Sequence, residues 1–353
     1  MAWTLTRALG GTALLLVPGV LTAWALLQPS QPEERDDGGL HHLALAAAWG
    51  VAVVPSLCFF AFLLSGVWMS WTTLSATAAL NTAVVAALLW RRGGLSAVQA
   101  PWPALRHTLR HERALVAAVL ATALLYLLRH DDSLPALSCL HPAALKAIGP
   151  GLRGGDLLRD AVYDVRLGNV GLVAAWDAMV GGFGYRWLLG LCGGGLALGG
   201  ALLGRRAGGG RAWGWLGLAL LALNPWTLSF PRIDENLLTA ALAALTLPLL
   251  LRRGTSWLAA GVFVGVLVTM RHVLILAVPA PLLLIWLAPR RWRALAWFGL
   301  GFVAMTTMEN LHHILALGSP LRFESHGQFP AYAYTFLGMN FHWQGMLNWP
   351  LHD

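Results

Sequence analysis

The sequence Arg129-His130-Asp131-Asp132 stops an apolar run abruptly, and a long polar segment follows it as far as Tyr185. Six of the 16 acidic residues of the chain lie in this segment, whereas the sequence on either side is almost wholly apolar. Residues 129–185 therefore form the one sizeable region that offers a water-soluble setting for chemistry. We interpret this region as the first functional loop of a membrane enzyme.

The composition of the chain indicates an integral membrane protein. Hydrophobic residues make up 57%, charged residues 11%, and the mean hydropathy is +0.63, whereas a soluble domain has about 25% charged residues. The net charge of +8 comes from short arginine clusters between apolar runs, which is the positive-inside pattern of membrane proteins. We therefore exclude nucleic acid as a partner.

Apolar runs of roughly the 20 residues that a bilayer-spanning helix needs recur along the chain. The predicted spans are residues 8–27, 43–64, 71–90, 114–128, 186–204, 212–224, 236–251, 256–269, 273–288 and 294–311. Together they predict an all-α, polytopic protein with about ten transmembrane helices, located in a bacterial-type inner (plasma) membrane.

The basic clusters predict the orientation of these spans. They lie at residues 91–113, 205–211, 252–253 and 290–293, after every second span, and such clusters favour the cytoplasmic side. The segments expected on the outer side are the loop 129–185, the turn 224–236, Arg271-His272 and the tail 312–353. This orientation also places Met1 outside. Within the outer loop, Ser138–Ile148 and Gly155–Met179 are predicted to form short amphipathic helices on the bilayer surface.

Several motifs follow one another on the predicted outer side. The acidic pair Asp131-Asp132 precedes the loop, Gly184-Tyr185-Arg186-Trp187-Leu188-Leu189 opens the next span, and Leu223-Asn224-Pro225-Trp226-Thr227-Leu228-Ser229 stands before Asp234-Glu235-Asn236. A span with Gly261 and Gly265 leads to Met270-Arg271-His272 and Pro279, and Leu317-Gly318-Ser319-Pro320 follows a later span. In this order, over roughly residues 114–350, the motifs resemble the GT-C superfamily of membrane glycosyltransferases.

The resemblance implies two regions. Residues 1–113 form an extra membrane module of about three spans and a basic cytoplasmic loop, and residues 114–353 form a GT-C-like core. Many members of the superfamily continue into further spans and a soluble outer domain beyond the point where this chain stops at Asp353. We therefore expect either an unusually short protein or a fragment.

The resemblance also implies the reaction. A protein similar to the protein O-mannosyltransferases and aminoarabinose transferases moves a sugar from a polyprenyl-phosphate donor to a glycan, lipid or protein acceptor on the outer face. By position, Asp131 or Asp132 matches the catalytic acid of the family, and Arg271 with His272 is expected to stabilise the leaving phosphate. The further substrate-binding candidates are Asp234, Glu235, Arg186 and Arg232. The scheme needs no cofactor, and it leaves a divalent metal possible.

Each candidate also has a purely structural interpretation. Asp131-Asp132 is compatible with a solvated loop start, and Asp234-Glu235 with the first turn of a helix, where acids favour the positive helix end. Arg271 is compatible with a turn at the outer surface. An arginine within a membrane is costly unless it faces a polar cavity or an anion, which favours a functional role for Arg271.

Two pairs of residues, one Glu–His and one His–His, have the i, i+4 spacing of a helix face. Glu309 with His313 has a spacing that suits a metal, but we interpret it as an interfacial pair. His107 and His111 stand among arginines, and we expect this surface to face anionic lipid.

Two other classes of function fit the same pattern. A transporter or flippase for lipid-linked saccharides would use the same acids and Arg271 for binding, with access from both faces. A noncatalytic membrane subunit is favoured if the chain truly ends at Asp353.

Overall fold

The computed structural model describes residues 2–27, 35–65, 69–129, 167–181, 184–225, 228, 235–251, 256–270, 272–288, 290–317, 322–323, 333–336 and 339–342. The helices are α1 Ala2–Leu26, α2 Arg35–Ala48, α3 Val54–Ser65, α4 Trp71–Gln99, α5 Pro101–His111, α6 Arg113–Leu128, α7 Leu167–Val180, α8 Gly184–Gly208, α9 Arg211–Ala222, α10 Glu235–Leu250, α11 Trp257–Met270, α12 Pro279–Trp286 and α13 Arg291–Leu317. A π-helical segment, Trp49–Val53, joins α2 to α3, and a 3-10 segment, His272–Ala277, precedes α12.

The helices follow the apolar runs of the sequence closely. Helices α6, α10 and α11 begin and end within one residue of the spans predicted at 114–128, 236–251 and 256–269. The expected all-α class is therefore confirmed for this helical bundle. Helix α4 continues beyond its predicted span through a kink, because Gly94 adopts a φ of +63°, a conformation that glycine tolerates and other residues rarely adopt.

Within the described residues, four helices are long and apolar enough to cross a membrane, or five if the bent α5–α6 pair forms one span. The four segments are Thr4–Leu26, Gly39–Phe62, Trp71–Gln99 and Arg186–Gly208. These helices indicate a membrane protein, but the predicted number of ten spans is not confirmed. The span predicted at 273–288 is instead a 3-10 segment followed by the short helix α12, which starts at Pro279 and contains Pro281. Proline lacks the N–H that a continuous helix requires.

Arginine side chains tie several helices together at one end of the bundle, which we call the basic end. Arg92 Nη1, directly before the kink in α4, donates to the carbonyl of Ala25 in α1 at 2.7 Å. Arg206 Nη2 in α8 donates to the carbonyl of Leu251, directly after α10, at 2.8 Å. Arg211 Nη2 at the start of α9 lies 2.8 Å from His111 Nε2 at the end of α5. Basic residues of the clusters predicted at 91–113 and 205–211 therefore lie at the same end of the bundle.

The opposite end of the bundle, which we call the loop end, carries the termini of the helices that run away from the basic end. Tyr126 in the last turn of α6 donates its hydroxyl to the carbonyl of Ala222, the last residue of α9, at 2.8 Å. Both groups are buried, so this hydrogen bond fixes α6 and α9 at matching heights.

Close glycine contacts hold the longest interfaces. Gly200 of α8 and Gly217 of α9 face each other so closely that a Cβ on either would overlap the backbone of the other. Between α11 and α13, Gly261 meets the backbone of Phe298 in the same way. Small residues let helix backbones approach closely, which is the usual source of helix association in membranes.

A short antiparallel sheet follows the bundle. Its strands are β1 Arg322–Phe323, β2 Ala333–Phe336 and β3 Met339–His342, in the order β1-β2-β3. The register pairs Phe323 with Tyr334 and Phe336 with Met339. No pattern described above in residues 312–353 predicts this sheet. It adds a small β element to the expected outer tail.

Candidate active site

Helix α7 lies inside the bundle and packs against α1, α3, α8 and α11. Leu172, Val173 and Trp176 are at most 3% exposed. The prediction that Gly155–Met179 forms amphipathic helices on the bilayer surface is therefore wrong for the described part, residues 167–179. The physical reason is that the apolar side chains of α7 are not confined to one face of the helix. A helix of this kind is buried among other helices instead of lying at a surface.

The amino-terminal turn of α7 contacts the carboxy-terminal end of α11. Asn169 Nδ2 donates to the carbonyl oxygen of Met270 at 2.6 Å, and both residues are 0% exposed. Met270 is the last residue of α11, and the last carbonyls of a helix have no partner within the helix. The Asn169 side chain supplies this missing donor.

The neighbouring glycine makes this contact possible. A Cβ at Gly168 would lie 2.7 Å from Thr269 Oγ1 and 2.8 Å from the backbone nitrogen of Met270. Any larger residue at position 168 would push the two helix ends apart. Arg271 and His272 follow Met270 directly in the chain, so α7 is fixed at the helix end from which these two predicted site residues emerge.

Asp177 lies in the last turn of α7 and is 5% exposed. The backbone N–H of Gly181 donates to the carbonyl of Asp177 at 2.7 Å, and Gly181 ends the helix with a φ of +73°. Gly184 at the start of α8 packs so closely on the backbone of Trp176 and Asp177 that a Cβ would not fit. This close packing of α7 and α8 buries the Asp177 carboxylate in an apolar interior. A negative charge there is costly unless it is compensated.

Three of the predicted site residues have a described position. Arg186 lies in the first turn of α8, Glu235 is the first residue of α10, and His272 is the first residue of the 3-10 segment. Helices α8 and α10 both reach the basic end with their carboxy termini, through Arg206 and Leu251. Arg186 and Glu235 consequently belong to the loop end.

His272 belongs to the same end, because α11 begins six residues after Leu251 at the basic end and runs away from it to Met270, two residues before His272. Strand β3 contacts the 3-10 segment that begins with His272. Strand β3 of the predicted outer tail therefore lies against the segment that follows α11. Asp131, Asp132, Arg232, Asp234 and Arg271 lie outside the described residues, and their roles stay predictions.

Sequence reasoning missed Asn169 as a member of this region and recognised Asp177 only as one acid of the loop. The available signal was the presence of single polar residues in the otherwise apolar run Leu167–Val180, with Gly168 and Gly171 beside Asn169. Across the part of the chain that the structure describes, no three His, Cys, Asp or Glu residues form a group that would hold a metal ion.

A protein-family model matches part of the chain. Residues 171–336 match the model of glycosyltransferase family 87. The matched segment begins inside α7, ends with β2, and covers slightly less than half of the 353 residues. No curated protein and no solved structure gives a significant match.

The match supports the general form of the resemblance seen in the sequence, namely a membrane glycosyltransferase of GT-C type. It contains α7 from Gly171 onward, the whole of α11 and the 3-10 segment. Asp177 and Met270 therefore lie in the part of the chain that matches this family model, whereas Asn169 lies two residues before it.

Proposed function

We propose that this protein is a membrane glycosyltransferase that moves a sugar from a polyprenyl-phosphate donor to an acceptor hydroxyl on the outer face of a bacterial-type inner membrane. The similarity of residues 171–336 to glycosyltransferase family 87 carries this proposal. The apolar helices of the bundle agree with a substrate that has a lipid tail.

The reaction exchanges one bond for another at the anomeric carbon of the sugar. The bond from this carbon to the phosphate oxygen breaks, and a bond to the acceptor oxygen forms. The acceptor hydroxyl loses a proton, and we assign its removal to the carboxylate of Asp131 or Asp132. The electron pair of the broken bond stays on the phosphate, so negative charge develops there.

We assign stabilisation of this charge to Arg271, with His272 beside it. A guanidinium group binds phosphate oxygens through two parallel N–H donors, which makes arginine well suited to this role. The hydrogen bond from Asn169 to Met270 supports the assignment, because it fixes the helix end directly before Arg271. Because the position of Met270 is fixed, the segment that carries Arg271 loses less conformational entropy when the phosphate binds.

The remaining candidates would bind other parts of the substrates. Arg186 and Glu235 lie in the first turns of α8 and α10 at the loop end. These two helices pack against each other. Asp234 and Arg232 precede Glu235 in the chain. Acidic groups there suit sugar hydroxyls, and the arginines suit the donor phosphate.

The test uses the purified full-length chain in lipid nanodiscs with a panel of polyprenyl-phosphate sugars that carry a radiolabel in the sugar. We expect release of polyprenyl phosphate and transfer of the label to an acceptor. Nucleotide sugars serve as the comparison donors, and we expect no transfer from them.

The two other functions predict different results with the same lipid-linked donors. A transporter would move the intact lipid-linked sugar across sealed vesicles without breaking the sugar–phosphate bond. A noncatalytic subunit would do neither. Transfer from nucleotide sugars alone would contradict the proposed donor, and transport without cleavage would contradict the proposed reaction.

A further inference from the structure

Helix α5 lies across the bundle at its basic end. Its axis is bent by 86° from that of α6, so α5 runs along the membrane surface when α6 crosses the membrane. Pro101 is buried, and a Cβ at Gly39 of α2 would overlap the Thr108 side chain. These contacts determine which face of α5 turns inward.

The outward face of α5 combines apolar and basic side chains. Trp102 is 42% exposed and Leu109 is 38% exposed, and a separation of seven residues places them on the same side of a helix. Arg106 and Arg110 are also exposed, and they continue the row from Trp102 at steps of four residues. An apolar flank beside a row of arginines is the composition of helices that lie in a membrane interface.

The carboxylate closest in sequence to this face does not neutralise it. Glu112 directly follows α5, and its two oxygens accept from Arg205 Nη1 at 3.1 Å and Nη2 at 2.8 Å. The hydrogen bonds from Arg205, and the nearby charges of Arg205, Arg211 and His111, hold the pKa of Glu112 below its usual value, although burial opposes this shift. Glu112 is therefore charged but already paired.

A third arginine extends the positive surface. Arg211 Nη2 lies 2.8 Å from His111 Nε2 and 3.7 Å from Glu112 Oε1, and the Arg211 side chain is 61% exposed. Arg106 and Arg110 have no ion-pair partner among the side chains that the structure describes. The exposed face of α5 thus carries positive charge that nothing in the described structure compensates.

We propose that α5 binds the headgroups of anionic phospholipids at the basic end of the bundle. Arg106 and Arg110 contact the lipid phosphates, and Trp102 and Leu109 enter the boundary between headgroups and acyl chains. Lipid is the occupant that fits, because the face combines an apolar flank with positive charge. Helix α5 also directly follows α4, which is long and apolar enough to cross a membrane. This proposal is independent of the proposed enzymatic reaction.

The test compares dioleoylphosphatidylglycerol with dioleoylphosphatidylcholine, which have the same acyl chains but different headgroup charge. Each lipid is titrated into the detergent-solubilised full-length protein, and binding is measured by native mass spectrometry. We expect tighter binding of phosphatidylglycerol. The double variant Arg106→Gln/Arg110→Gln should lower its affinity about tenfold or more and leave phosphatidylcholine binding unchanged. Arg106→Lys/Arg110→Lys should retain most of the affinity.

A matched control removes the same charge elsewhere at the basic end. Arg290 and Arg293 are exposed at the start of α13, and Arg290→Gln/Arg293→Gln should keep most of the phosphatidylglycerol preference. An equal loss in this control would show a general effect of positive charge and would overturn the proposal. An unchanged preference in Arg106→Gln/Arg110→Gln would overturn it as well.

Discussion

Asn169 and Met270 are 101 residues apart in the chain, yet the Asn169 amide donates to the Met270 carbonyl at 2.6 Å in a fully buried contact. This hydrogen bond joins the segment before α8 to the helix end before Arg271. Because it satisfies a carbonyl that has no partner within its own helix, it stabilises the end of α11.

Replacing Asn169 tests the importance of this contact. Asn169→Leu leaves the Met270 carbonyl buried without a donor, which costs about 1–3 kcal/mol. We expect a lower unfolding temperature in detergent and also weaker binding of farnesyl phosphate, a short polyprenyl phosphate. Binding of farnesol, which lacks the phosphate, should not change. If Asn169→Leu folds too poorly to measure, Asn169→Ser, which keeps a hydroxyl donor, should show a smaller loss of the same kind.

Tyr126→Phe provides a matched control for Asn169→Leu. Tyr126 also donates to the last carbonyl of an apolar helix, Ala222, from a buried position. The loss of stability should be similar, but farnesyl phosphate binding should stay unchanged, since no predicted site residue adjoins Ala222. Equal effects of both variants on binding would mean that Asn169 acts only through overall stability.

A second prediction concerns Arg271. Arg271→Ala should weaken farnesyl phosphate binding, and Arg271→Lys should restore it only in part, because lysine lacks the planar pair of donors. Combining Arg271→Ala with Asn169→Leu should add no further loss of binding, since both changes affect one interaction. If Arg271→Ala binds farnesyl phosphate as well as the unchanged protein does, Arg186 and Arg232 become the candidates for binding the phosphate.

The sequence predicts local features of this region, but it does not predict contacts between segments that are distant in the chain. Apolar runs are local, and they predict α6, α10 and α11 to within one residue. The contact between Asn169 and Met270 depends on which helices become neighbours, and no periodicity of either segment encodes it. Helix α7 shows the same limit, because its enclosure by α1, α3, α8 and α11 cannot be read from its own residues.

Glu112 and Arg205 give a prediction about pH. Since the pKa of Glu112 is lowered in the folded protein, the pair stabilises the fold above the usual pKa of 4.5, and this contribution is lost as the pH falls through the lower folded value. Glu112→Gln leaves Arg205 buried without a carboxylate, which should destabilise the protein by about 3–5 kcal/mol near neutral pH. Unfolding temperatures measured from pH 7 downward should show the two proteins converging in acid. A constant difference would contradict the assignment of the effect to the Glu112 charge.

The orientation of the bundle yields a labelling prediction. After replacement of the native cysteines, Ser133→Cys and Ser319→Cys should react from outside with a membrane-impermeant thiol reagent, whereas Gly210→Cys should not. Gly210 suits this purpose because nothing lies within 4 Å of an added Cβ there. The same reagent applied after permeabilisation should label Gly210→Cys. Labelling of Gly210→Cys in intact cells would reverse the predicted orientation and every outer site with it.

The last prediction concerns the carboxylate that accepts the proton from the acceptor hydroxyl. A catalytic base acts mainly in the transition state, so its loss should lower turnover while donor affinity stays nearly intact. We expect one of Asp131→Asn and Asp132→Asn to reduce transfer by about 10²-fold or more, and the other to have a mild effect. Asp177 is the competing candidate, because it is buried at the loop end and lies inside the segment similar to glycosyltransferase family 87. Asparagine preserves the size of the side chain in all three variants, so amounts of folded protein are compared first by gel filtration. Full transfer by both Asp131→Asn and Asp132→Asn, with a large loss in Asp177→Asn, would move the catalytic base from the loop start to α7.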